Sequence, residues 1–200
     1  MAKKIIAIVG TYRKRQTIDS AVDELLISAQ FCGAETEKIY LLDKHIEFCT
    51  NCRICTQEAG IARGNCVIND DMKQILNKID SADCIVLAAP INWFNVTALM
   101  KRFIERLICY GYWPWNGGYP KNRIKKLTKK AVLITSSSAP AWFGRIFFHG
   151  TFSVLKAVSK CLGAKVVRKI YIGGAAISPE QPLSRKYKEQ ACAAGKALVN

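Results

Sequence analysis

Hydrophobic residues along this chain follow two alternating patterns. Short apolar runs rich in β-branched residues occur at Ile5–Val9, Cys84–Ala89 and Ala131–Thr135, and strand-like stretches with some charge at Glu37–Leu42 and Val166–Ile172. Such runs predict strands buried on both faces, as in a parallel sheet covered by helices. The run ending in Leu42 is closely flanked by charges and belongs at or near a sheet edge. Between the runs, apolar positions recur every three or four residues: Ile18, Ala21, Val22, Leu25, Leu26 and Ala29; Met72, Ile75, Leu76 and Ile79; Val96, Leu99, Met100, Phe103 and Leu107. Two more helical stretches lead to Cys161 and run from Pro182 to Leu198. This spacing is the stripe of a helix packed on one side. Gly33 and Gly163 stand where a helix ends in a left-handed residue, and Asp70-Asp71 suit a helix N-terminus. Asp43–Asn69 and Tyr110–Pro120 read as irregular segments, and Trp142–Phe152 as a variable aromatic one.

Five strands, each followed by a helix, predict an α/β fold with a parallel sheet, helices on both faces and right-handed crossovers. Ligands of such sheets bind beyond the strand C-termini, at a topological switch point. The loops after Gly10, Pro90 and Ser136 are therefore candidates for one shared site. The first is the most telling. The buried run stops at Gly10, and Thr11, Arg13, Lys14, Arg15, Gln16 and Thr17 follow before a helix begins. The first amides of a helix lack intrahelical partners and carry the positive end of its dipole, so a phosphate placed there gains backbone hydrogen bonds. Thr11 and Thr17 add hydroxyls, Gln16 an amide and Arg13 a charged fork. The turn has neither the glycine spacing of a dinucleotide fingerprint nor the Gly-Lys-Ser/Thr of a triphosphate loop. A mononucleotide loop built from side chains remains, against the plainer reading of a basic surface turn.

The other two loops add Pro90-Ile91-Asn92-Trp93-Phe94-Asn95, aromatic and amide in character, and the hydroxyls of Ser137 and Ser138. A flat heteroaromatic with a phosphate tail fills such a set, its ring stacking on Trp93 or Phe94 while backbone amides reach its polar edge. Flavin mononucleotide (FMN) has that shape. Aromatics at a strand end are also ordinary core edge.

Composition narrows the context. Fifty per cent hydrophobic and 22% charged residues among 200 are ordinary for a globular domain. The longest uncharged run, Cys84–Met100, contains Pro90, Asn92 and Asn95 and does not read as a membrane span. With no signal peptide in view, a cytoplasmic location is expected. A formal charge of +15 concentrates anions of any kind without selecting one. Its densest run, Lys121–Lys130, is either a nucleic-acid patch or a solvated approach to the next strand. The lack of interleaved aromatics favours the latter, so neither a nucleic-acid nor a membrane partner is expected.

Nine cysteines are many, and their odd number argues against a complete disulfide framework. Cys32, Cys84, Cys109, Cys161 and Cys192 sit singly in apolar or helical contexts and read as buried thiols. Cys49, Cys52, Cys55 and Cys66 lie close together. Thiolates two and two residues apart, with a fourth further on, have the spacing a cubane iron–sulfur cluster takes from a compact loop. Free thiols, a zinc site or a disulfide are the alternatives.

Taken together, these motifs resemble the flavodoxin-like NADPH-dependent FMN reductases, in the branch that includes the iron–sulfur flavoproteins. Gly10-Thr11-Tyr12-Arg13 with Gln16-Thr17 matches the family's phosphate loop, and Pro90–Asn95 its second flavin loop. Lys101-Arg102-Phe103-Ile104-Glu105-Arg106 matches the end of its following helix, and Cys49–Cys55, Cys66 and Asp70-Asp71-Met72 its cysteine segment. The chain departs from the family at Thr11, Tyr12 and Gln16, and at Asn92, where an aromatic is common.

The resemblance implies a flavodoxin-like three-layer sandwich. Residues 1–200 would form a single FMN-binding domain with a cysteine-rich insertion at about 45–69. It also implies an FMN-dependent NAD(P)H oxidoreductase, in which a nicotinamide passes hydride to the flavin and small acceptors such as quinones, flavins or azo and nitro aromatics take the electrons. The cofactor carries the chemistry, so no catalytic acid or base is named, and His45 and His149 read as loop residues. The alternative is an electron carrier with a 4Fe-4S cluster on Cys49, Cys52, Cys55 and Cys66. A basic nucleic-acid-binding module on the same fold ranks third. A homodimer or homotetramer is implied, with flavin near the subunit boundary.

Overall fold

A computed structural model of the chain describes residues 2–200. The strands β1 (Lys4–Val9), β2 (Glu35–Tyr40), β3 (Cys84–Asn92), β4 (Asn95–Val96), β5 (Gly111–Tyr112), β6 (Lys121–Asn122), β7 (Lys129–Ser136) and β8 (Ala164–Ile172) alternate with α1 (Thr17–Phe31), α2 (Met72–Ser81), α3 (Ala98–Glu105), α4 (Ala141–Phe147), α5 (His149–Cys161) and α6 (Arg185–Val199). The central sheet is parallel in the order β2-β1-β3-β7-β8, with β4 folded back antiparallel on the end of β3. β2 and β8 are its edges. β5 and β6 form a separate antiparallel pair.

The two-residue period of each inner strand divides the core. Ile5, Ala7 and Val9 of β1, with Cys84, Val86 and Ala88 of β3, pack beneath α1 and α6. Ile6, Ile8, Ile85, Leu87 and Ala89 point to the other face, where Met72, Ile75, Leu76 and Ile79 of α2, Met100 and Phe103 of α3, and Leu155 and Val158 of α5 cover them. The apolar stripes predicted for these helices are thus the faces they bury. Helices α1 and α6 pack closely at Gly195, where a Cβ would lie 2.3 Å from the carbonyl oxygen of Leu25.

The structure differs from the sequence expectation where local chemistry and tertiary context compete. Pro90 does not close the third strand: it sits opposite Ser136 in the ladder, and the strand runs on to Asn92. β1 has ended at Val9, opposite Ala88, so Pro90 has no strand on that side to bond. The predicted loop Ile91–Asn95 is a tight hairpin. β2 begins at Glu35, two residues before the expected Glu37, and ends at Tyr40, where Leu41–Asp43 form a 3-10 turn. The helix expected to reach Leu107 ends at Glu105 and continues as a 3-10 segment over Arg106–Tyr110. The aromatic segment after Pro140 is two consecutive helices.

Candidate functional site

The carboxyl ends of β1, β3 and β7 open on a cavity of about 330 Å³, lined by Thr11, Tyr12, Arg13, Gln16, Thr17, Ile18, Pro90, Ile91, Asn92, Ser136, Ser137, Ser138, Ala175 and Ala176. This is the switch point of the sheet, since the chain leaves β1 toward β2 on one side and returns through β3 on the other. Of the residues singled out by sequence, Thr11, Arg13, Gln16, Thr17, Pro90, Ile91, Asn92, Ser137 and Ser138 come together here. Trp93, Phe94 and Asn95 do not line it. Sequence reasoning missed Ala175 and Ala176 from the loop after β8, although Gly173-Gly174 at the end of the fifth strand marks a fourth loop at the same sheet end.

The loop after β1 is built to present donors. Gln16 occupies the N-cap position of α1 in extended conformation and makes no side-chain capping bond, so the first amides of the helix lack a side-chain acceptor. The amide of Arg13 donates to Thr11 Oγ1 at 3.2 Å, and the Arg13 guanidinium donates to the carbonyl of Pro179 at 2.6 Å, tying this loop to the one after β8. Asp19, 1% exposed, fixes the loop from beneath. Its carboxylate accepts from the amide of Arg15 at 2.6 Å, from Lys38 Nζ at 2.8 Å and from the Tyr40 hydroxyl at 2.7 Å. Burial alone would raise the Asp19 pKa. The bonds from Lys38, Arg15 and Tyr40 outweigh it and hold the group below its ordinary 3.8. Arg15 has φ 61°, a left-handed residue made necessary by the bend that aims its amide at Asp19.

Thr97 couples the first loop to the second. Its hydroxyl donates to the carbonyl of Gly10 at 2.6 Å and caps α3 by accepting from the amide of Met100 at 3.2 Å. Gly10 fits beside that helix because a Cβ there would lie 2.8 Å from Met100 Cβ. On the third loop, Ser137 Oγ lies 2.6 Å from the hydroxyl of Tyr171, which is 2% exposed.

Trp93 and Phe94 form the two-residue turn between β3 and β4, with φ values of 45° and 64°. Two-residue hairpins whose central residues both have positive φ favour Asn-Gly, and bulky residues there are strained. The rings project outward, Trp93 93% and Phe94 68% exposed. Phe94 stacks edge-on to Phe148 at 5.3 Å, bracing the turn against the aromatic helices α4 and α5. Asn95 accepts from the amide of Val96 at 2.8 Å.

The cysteine segment encloses a second cavity, of about 220 Å³. Cys49, Cys52, Cys55 and Cys66 line it together with Arg53, Arg106, Ile108 and Trp113. The segment is closed by hydrogen bonds from Gly64 N to Cys109 O at 2.8 Å and from Trp113 N to Thr56 O at 2.9 Å. At Gly64 a Cβ would lie 1.7 Å from the carbonyl oxygen of Cys55. Burial, then the neighbouring Cys66, Cys52 and Cys49, push the Cys55 thiol up to about 11. The amide of Ile54 and the hydroxyl of Thr50 hold Cys52 below its ordinary value.

Arg106 is 3% exposed and forks across this region. It pairs with the fully buried Asp70, donates to the carbonyl of Glu47 at 2.8 Å and to Cys66 Sγ at 3.4 Å. Arg53 stacks on two indoles, its guanidinium carbon 3.6 Å from the ring centre of Trp113 and 4.3 Å from that of Trp115. Two donors on residues that line this cavity, Arg53 Nε and Trp113 Nε1, are buried without a partner, at about 1–3 kcal/mol each. Among the described residues no three His, Cys, Asp or Glu side chains stand close enough together to hold a single metal ion. The four thiols therefore share a cavity but do not form a preassembled set around one ion.

The parallel-strand order 2-1-3-4-5 with an anion-ready loop at its switch point is the doubly wound arrangement of the flavodoxin-like α/β proteins, for which it is a reference case. The chain belongs to the Flavodoxin_2 family, described as having a flavodoxin-like fold, whose model matches residues 4–194. It is 36% identical over 111 residues to an iron-sulfur flavoprotein of Archaeoglobus fulgidus, a match covering 56% of this chain and 48% of that protein. The chain spans about half the length of the curated relatives it matches. Its fold is similar to that of an NAD(P)H:quinone oxidoreductase from Methanothermobacter marburgensis, with TM-score 0.67, 20% identity and coverage of 100% of this chain and 98% of the other. An FMN-dependent NADH-azoreductase from Bacillus anthracis, solved with FMN, superposes with TM-score 0.68 at 16% identity over the whole of both chains.

Proposed function

We propose that this protein is an FMN-dependent NAD(P)H oxidoreductase that reduces small acceptors such as quinones, flavins or azo and nitro aromatics. The observation that carries this reading is the switch-point cavity. It combines a helix N-terminus without a side-chain cap, the hydroxyls of Thr11, Thr17, Ser137 and Ser138, and the Arg13 guanidinium in one pocket of cofactor size. When bound, FMN supplies the capacity to take a hydride and release electrons singly or in pairs. The chain's own residues hold and orient. Thr11, Arg13, Gln16, Thr17 and the α1 amides receive the phosphate; Pro90, Ile91 and Asn92 offer backbone to the ring; Ser137, held by Tyr171, offers a hydroxyl. Trp93 and Phe94 supply exposed aromatic surface beside the pocket for a planar acceptor, and Asn95 shapes their turn. Residues 1–200 act as one FMN-binding domain, with partners that are small molecules, in a cytoplasmic homodimer or homotetramer.

The test is titration of the purified chain with FMN, followed by NADH or NADPH oxidation in the presence of a quinone. One flavin per chain and turnover with either nucleotide are expected, and Arg13→Ala should weaken FMN binding about tenfold, the loss of one charge-assisted contact. A chain that binds no flavin in excess FMN overturns the reading.

A second reading has its own support. Four cysteines on one cavity, with unpartnered donors on two of its other lining residues, fit a group larger than one ion and rich in hydrogen-bond acceptors. A 4Fe-4S cluster on Cys49, Cys52, Cys55 and Cys66 has that character, and the similar Archaeoglobus protein is named an iron-sulfur flavoprotein. On this reading the chain exchanges single electrons between cluster and flavin. Iron and sulfide analysis after anaerobic purification decides it.

A further inference from the structure

The wall of the cysteine cavity contains more positive charge and N–H donor capacity than its protein neighbours use. Arg106 is held by three acceptors: Asp70 takes both terminal nitrogens, Glu47 takes one, and Cys66 Sγ receives the remaining direction of Nη2 at 3.4 Å. Asp70 in turn accepts from the amides of Glu47 and Met72, so the guanidinium cannot swing away from the sulfur without breaking a buried pair. Arg53 is fixed by stacking on Trp113 and by donation from Nη2 to the carbonyls of Trp113 and Pro114 at 2.8 and 3.0 Å. Its Nε has no acceptor, nor has the indole N–H of Trp113. Both orphaned donors belong to residues that line the cavity shared by the four sulfurs.

We propose that Arg106, Arg53 and Trp113 are positioning residues that set the reduction potential of a cysteine-ligated cluster in this cavity. The inference rests on the second reading above. A cluster with four thiolate ligands is an anion, and taking up one electron from an external reductant makes it more negative by one charge. Fixed cations and N–H donors directed at its sulfurs favour the reduced form, which raises the potential. Trp113 has a double part, because its indole N–H is free for a sulfur while its ring fixes Arg53.

The test uses the full chain, purified anaerobically and, where iron is low, reconstituted with ferrous iron and sulfide. Iron and sulfide are counted first, and the cluster is then titrated redox-potentiometrically with EPR detection. Trp113→Phe keeps the ring and deletes only the N–H; Arg53→Gln deletes the charge and the stacking cation. Each should retain iron and sulfide at the wild-type level and shift the cluster midpoint to lower potential, with the flavin midpoints unmoved. Trp115 stacks on Arg53 but does not line the cavity, so Trp115→Phe should leave the potential where it is. Arg106→Lys, which retains the charge but not the fork, should give the intermediate shift. Iron present with unaltered midpoints in both Trp113→Phe and Arg53→Gln overturns the inference and leaves the cluster reading standing. A wild-type chain that binds flavin but no iron and sulfide after reconstitution overturns both and leaves the oxidoreductase reading intact.

Discussion

At the residue scale, Asp19 anchors the loop after β1, and nothing in the sequence marks it out. It reads as an ordinary acidic residue in the first turn of a helix, whereas the structure buries it beneath the loop with three donors. Asp19→Asn should cost about 3 kcal/mol, the typical loss when one partner of a buried ion pair is removed, and should weaken FMN binding because the Arg15 amide loses its anchor. Denaturant unfolding with and without FMN measures both. The pH dependence follows from the sign of the shift. A carboxyl whose folded pKa is depressed below 3.8 contributes stability above that value and loses it as the pH falls through the lower folded one. Asp70 is held below its ordinary value as well: burial would raise it, but Arg106 and the amides of Glu47 and Met72 prevail. Wild type should therefore be level in stability above about pH 5 and fall off below pH 4, and Asp19→Asn should flatten that acid limb. The turn residues Trp93 and Phe94 make the opposite case. Replacing them as Trp93→Asn/Phe94→Gly supplies the residues such a turn prefers, so thermal stability should rise by about 1–2 kcal/mol while KM for aromatic acceptors increases. An unchanged KM would reduce the two rings to an accident of the turn.

At the scale of elements, the pattern of apolar positions was enough to place the five parallel strands and the helices after them. Buried β-branched runs and 3.6-residue stripes are direct imprints of the two core faces. Nine of the twelve residues expected around the flavin line one pocket, because strand ends in a doubly wound sheet converge whatever the loop sequences are. What escaped the sequence depends on partners distant along the chain. Pro90 reads as a terminator until one sees that β1 stops beside it. Trp93, Phe94 and Asn95 read as loop because a hairpin turn without glycine carries no turn signal. The 3-10 segment after α3 owes its place to Arg106, whose partners Asp70, Glu47 and Cys66 all lie before Met72. Two substitutions test how elements are joined. Thr97→Val removes the bond to Gly10 and the cap of α3 at once, and should destabilise the fold by about 1–2 kcal/mol and loosen FMN by several fold. Gly64→Ala puts a methyl group where the Cys55 carbonyl already lies, so the cysteine segment must open while the sheet remains. Faster thiol labelling of Cys55, with unchanged far-ultraviolet circular dichroism, is the expected result.

At the scale of the whole molecule, a formal charge of +15 raises the local concentration of anions around the chain. Association with a phosphorylated nicotinamide should therefore be electrostatically assisted. Raising the ionic strength to about 0.5 M, where the screening length is only a few ångströms, should lower kcat/KM for NADPH several fold while kcat holds, and should affect a neutral quinone little. Stopped-flow reduction of the flavin at two salt concentrations measures the first effect directly. None of the helices among the described residues is long and apolar enough to cross a membrane.

The two rims of the central sheet bear on how copies of this chain can meet. On β2 the outward positions include Glu35 and Glu37, with Lys78 paired to the latter. On β8 they include Lys165, Arg168 and Lys169. Unlike charges on opposite rims would seem to invite head-to-tail stacking, yet extending a ladder by one more strand requires stripping water from every one of these groups along a twisted border. Growth of the sheet from molecule to molecule is thereby discouraged, while the exposed rings of Trp93 and Phe94 at the hairpin and of Trp142 and Phe147 on α4 carry no such charge.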